Sequence, residues 1–117
     1  MTIANLVDQL WEASVTVESV DIVASRVCLR FNTPQADGPN VVRLIRLEAV
    51  QSLEFRKHGS KHWRYAEASE VGLVLDGAIL KFGVVLWDEP NLLEVRCLEV
   101  WLDDVQIARA TGSRFVQ

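Results

Sequence analysis

The stretch VGLVLDGAILKF, residues 71–82, decides how the rest of the chain is read. Two alternating apolar runs flank Asp76-Gly77, and Asp-Gly in that setting is a strong short-range sign of a β-hairpin. A type I′ turn needs positive φ at both central residues, a conformation favoured for this dipeptide. A two-residue turn there pairs Leu75 with Ala78, Leu73 with Leu80 and Val71 with Phe82. All six side chains then share one face, as a half-buried sheet requires, whereas a slip of one residue would turn one run outward.

The same alternation extends in both directions. Downstream, GVVLW (83–87) is apolar on both parities, which suggests a strand covered on both faces. DEPN (88–91) is a turn. Leu93, Val95 and Cys97 then alternate with Glu94 and Arg96, after which Leu98, Val100 and Leu102 take the apolar role. Val105 and Ile107 mark a last short strand, and the tail ATGSRFVQ (110–117) is expected to fray, with docking of Phe115 the alternative. Upstream, Val15 and Val17 give way to Val20 and Ile22, and a bulge at Glu18-Ser19 accounts for the change of parity. Val27, Leu29 and Phe31 define another strand, followed by a loop at 32–40 rich in turn formers. Residues 41–55 read as strand broken near Gln51, although Leu44 and Leu47 also fit a helix. Only residues 3–12 have helical spacing, through Ile3, Leu6, Val7, Leu10 and Trp11, with Thr2 as N-cap.

No strand–helix–strand rhythm follows residue 14, which excludes a parallel α/β sheet. The expected fold is mainly β: an antiparallel β-sandwich or open barrel of about seven or eight strands, with one short N-terminal helix plugging an end or covering an edge. A chain of 117 residues, half of them apolar, fits one domain, 1–117, with a sizeable core. The first residues lack the basic start of a secretory signal, and no uncharged run approaches a bilayer span, so the expected address is cytoplasmic. Cys28 and Cys97 are far apart, lack metal-type spacing and read as small buried hydrophobes, with a disulfide between them the minor alternative.

Charge is unevenly spread. FRKHGSKHWRY (55–65) holds four of the twelve Lys and Arg and both histidines, and none of the sixteen acids. Residues 88–104 hold six acids against one base, Arg96. One basic loop on an acidic protein disfavours nucleic acid as a partner, because phosphate binding needs an extended cationic surface. His58 and His62 are four apart, but Gly59 and Ser60 disfavour a helix, and flanking cations oppose a metal ion; no metal and no cofactor is expected. No nucleophile elbow, P-loop or dinucleotide fingerprint is present, so nothing points to an enzyme.

The expected function is therefore that of a small non-catalytic interaction module, adaptor-like or immunity-like. It would contact another protein or a second copy through a basic loop, 56–64, and an acidic region, 88–104. The loop reads as a cationic reverse turn between two strands. Its contact residues are Arg56, Lys57, His58, Lys61, His62, Trp63 and Arg64, with Trp63 or Tyr65 as a stacking face. Trp101 adds an outward anchor, because Val100 and Leu102 claim the inward parity, while Trp11, Trp63 and Trp87 read as core. One alternative is a small-ligand-binding barrel or sandwich with a Trp-lined pocket. A second is weak anion or nucleic-acid contact by the basic loop alone.

Overall fold

The computed structural model describes Leu10, residues 12–111 and residues 114–115. The helix expected over 3–12 lies outside the described residues apart from Leu10, which is buried, and Glu12; Trp11 lies outside them too. Ten strands form among the described residues: β1 Ser14–Asp21, β2 Arg26–Thr33, β3 Val41–Glu48, β4 Ser52–Arg56, β5 Ala68–Asp76, β6 Ile79–Leu86, β7 Leu92–Cys97, β8 Glu99–Leu102, β9 Val105–Thr111 and β10 Arg114–Phe115. They build two antiparallel sheets, one in the order β1-β2-β3-β8-β9-β10 and one in the order β4-β7-β6-β5. The protein is thus mainly β, with the architecture of a β-sandwich. No described helix is long and apolar enough to cross a membrane.

Alternation explains which face is inside. Val27, Leu29 and Phe31 of β2 and Leu80, Phe82 and Val84 of β6 are all buried and belong to one core. Phe31 meets Phe82 edge to face, ring centroids 6.5 Å apart, tying the two sheets at their centres. The bulge expected at Glu18-Ser19 is present: Val17 pairs with Leu29, and Ser19 with Cys28, which leaves Glu18 unpaired. Val20 then falls opposite Val27, on the face that Val17 occupies.

The hairpin at 71–82 forms, but with a different register. Asp76 pairs with Ile79, Leu75 with Leu80, Leu73 with Phe82 and Val71 with Val84. The expected pairing of Leu73 with Leu80 does not occur. The turn centres on Gly77-Ala78, with φ +66° at Gly77 and no positive φ at Asp76 or Ala78. That is the sign pattern of a type II′ turn, which places glycine at the first central position. Asp76 thereby avoids the left-handed region and adds one more pair to the ladder. The displacement is two residues in the pairing sum, so the apolar face survives intact while Ala78 moves to the exposed turn.

The breaks near residues 51 and 98 are sheet crossings. β3 lies in the six-stranded sheet and β4 in the other; β7 and β8 make the reverse passage beside them. The two corners are laced by Gln51 N–H donating to the Arg96 carbonyl (2.7 Å) and Leu98 N–H to the Glu48 carbonyl (3.1 Å). Ala49 takes φ +53° at the first corner. Two strands bent at these corners, together with the two-residue β10, explain why ten strands form where seven or eight were expected. Elsewhere an isolated bridge joins Ser14 to Glu67, with Val15 N–H donating to the Ala66 carbonyl (2.7 Å), so the start of β1 closes onto the start of β5. The outer face of β6, expected to be covered, is only half-buried.

Candidate functional site

β4 and β5 are the two opposite edges of the four-stranded sheet, with β7 and β6 between them. The basic segment therefore cannot be the reverse turn expected from its sequence. It must cross three inter-strand spacings, roughly 14 Å, over the end of the sheet. Residues 57–67 make that crossing without joining a ladder, apart from the bridge at Glu67.

Two anchors hold the crossing. At its start, His58 N–H donates to Asn91 Oδ1 (2.7 Å), and Asn91 Nδ2 donates to the Asp88 carbonyl (3.1 Å). Asn91 is 7% exposed, the one buried polar side chain among the described residues. Partners on both ends of its amide satisfy it. In the middle, Trp63 is half-buried against the core, edge-on to Phe55 with ring centroids 6.3 Å apart. Lys57 Nζ lies 5.1 Å from the centre of the Trp63 ring and also donates to the Lys61 carbonyl.

Between these anchors the crossing frames a pocket of about 510 Å³, lined by His58, Lys61, His62, Trp63, Arg64, Tyr65, Trp87, Asp88 and Asn91. Tyr65 and Trp87 pack at 5.1 Å between ring centroids with their planes 59° apart. Trp87, expected in the core, instead terminates β6 at φ +69° and is 37% exposed, because its N–H is drawn to the Glu67 carbonyl (2.8 Å). Tyr65 is 59% exposed, so the aromatic wall faces solvent. Lys61 and Arg64 supply cationic donors, and Asp88 is the one acid in the lining.

The other expected contact residues lie elsewhere. Arg56 ends β4 and is ion-paired with Glu54. Trp101 points outward from β8, but its ring is half-buried under the Arg46 guanidinium, 4.7 Å from the ring centre, and its Nε1–H donates to Glu99 (3.1 Å). The acids of 88–104 are dispersed. Asp88 faces the pocket. Glu94 sits 3.6 Å from Arg96 on the four-stranded sheet. Asp103 and Asp104 hold Arg43 and Arg46 across the six-stranded sheet. Cys28 and Cys97 are both free thiols. Among the described residues no three His, Cys, Asp or Glu side chains gather as a metal site would need.

Comparison with known proteins adds no relative: no protein-family model, no curated protein and no solved structure matches the chain.

Proposed function

We propose that this protein is a binding module that receives an acidic segment of a partner protein in the pocket under the 57–67 crossing. The observation that carries this reading is the convergence of Lys61 and Arg64 with the exposed Tyr65–Trp87 ring pair around one concavity. Carboxylates gain charge-assisted hydrogen bonds from such donors. Flat ring faces add contact area at little entropic cost, which is why aromatic residues and arginine are enriched at interfaces. The role assigned to the acidic region contracts toward Asp88, since Glu94, Asp103 and Asp104 pair with arginines and Glu99 accepts from a tryptophan of its own sheet.

A glutamate-rich peptide titrated against tryptophan fluorescence tests the proposal. Binding is expected at low salt, weakening as ionic strength rises. Lys61→Glu with Arg64→Glu removes it and leaves the thermal midpoint within about 2 °C, because exposed charge changes shift stability little. A flat wild-type titration, or equal binding by the double variant, contradicts it. The pocket volume also suits a small planar anion. Saturable binding of a nucleoside monophosphate without peptide binding would favour that second reading.

A further inference from the structure

A separate feature lies along β4. This strand is an edge of its sheet, with no strand neighbour beyond it among the described residues. Leu53 and Phe55 stand opposite Val95 and Leu93, on the face that elsewhere forms the core. Yet they are 40% and 57% exposed, while Val95 and Leu93 are buried. The principal contacts of β4 are with β7 of its own sheet. Val20 and Ile22 share a surface notch with Leu53, so the apolar surface continues onto the turn between β1 and β2.

We infer that β4 pairs antiparallel with β4 of a second copy, about a two-fold axis at Phe55, to join two four-stranded sheets into one of eight. The order of charge along the strand selects both occupant and register. An axis at Phe55 sets Glu54 opposite Arg56 of the other copy, twice, and stacks Phe55 on its own symmetry mate. An axis at Glu54 or at Arg56 would set like charges against each other, which destabilises a cross-strand pair. Glu54 and Arg56 share the outer face, where each is more than half exposed and paired with the other. The edge therefore carries a self-complementary pattern, the requirement of a two-fold contact. Free backbone groups along it supply the ladder.

Sedimentation equilibrium of the full chain tests the inference. Wild type dimerises, whereas Glu54→Arg and Arg56→Glu each weaken the dimer about tenfold or more by opposing like charges. Mixing these two variants restores a 1:1 dimer, because each introduced side chain then meets its opposite. Both positions are exposed, so the variants keep the fold, which circular dichroism checks. A wild type that stays monomeric at about 100 μM, above the micromolar Kd a small edge contact supports, overturns the inference. So does a dimer indifferent to either variant, or a mixture that fails to reassociate.

Discussion

Cys97 lies on the inner face of β7, opposite Leu80, with no solvent exposure. Burial disfavours the thiolate and pushes the thiol from 9.0 up to about 12, outweighing a backbone hydrogen bond at Glu99 that lowers it. The folded value is raised above the unfolded one, so the contribution to stability is complete below pH 9 and is lost as pH climbs from 9 toward 12. In that window this group alone should tilt stability by about 1.4 kcal/mol per pH unit. Cys97→Val is expected to flatten the alkaline unfolding profile by one proton relative to wild type; parallel profiles would contradict the assignment. Cys28, half-buried on the opposite face of its sheet, should be alkylated in the native protein while Cys97 waits for unfolding. Asn91 acts at the same scale through hydrogen bonds: one side-chain amide fixes both the start of the crossing and the turn at 88–91.

At the scale of the element, the 71–86 hairpin depends on Gly77. A side chain there would sit at φ +66°, where β-branched residues are strongly disfavoured. Gly77→Val should destabilise the protein by about 1–2 kcal/mol, read as a lower urea midpoint at unchanged m, whereas Gly77→Asn should cost less. An unchanged urea midpoint in Gly77→Val would argue against the positive φ that the II′ turn requires. This hairpin also shows what local sequence conveys. Alternation of Val71, Leu73, Leu75, Leu80 and Phe82 identifies the strands and their inward face, because side-chain direction repeats every two residues. It does not identify the register, since two pairings differing by two residues keep the same face. Turn geometry makes that choice through the single glycine. The Glu18 bulge was legible for the same local reason: it interrupts a parity that its neighbours establish. The break at residue 98 was visible as a parity change and the one near residue 51 only as an interrupted pattern, since Ile45, Leu47, Leu53 and Phe55 keep one parity. A parity change is also the trace a bulge leaves, so it does not reveal a passage between sheets.

Across the whole molecule, strand order determines the site, and strand order is not a local property. Arg56, Lys57, Lys61 and Arg64 are legible as a charge cluster between two apolar runs, which resembles a hairpin when only neighbours in sequence are considered. β6 and β7 insert between those runs and convert the turn into a crossing. The same insertion delivers Trp87, Asp88 and Asn91 from more than twenty residues downstream to complete the pocket. Nothing in the composition of DEPN distinguishes a structural asparagine from a turn former. The acidic stretch misleads in the complementary way: its residues are contiguous in the chain, yet the β7–β8 passage between sheets distributes them over separate faces. The proposed function requires the crossing and the end of β6 to form one receptive surface for acidic chains. Chemical-shift mapping on the uniformly labelled protein, titrated with a glutamate-rich peptide, reads that surface residue by residue. Shifts confined to Lys61, Arg64, Tyr65 and the Trp87 indole, fading together as salt is added, are the predicted result; shifts that spare Trp87, or that centre on Trp101 and its arginine, would contradict it.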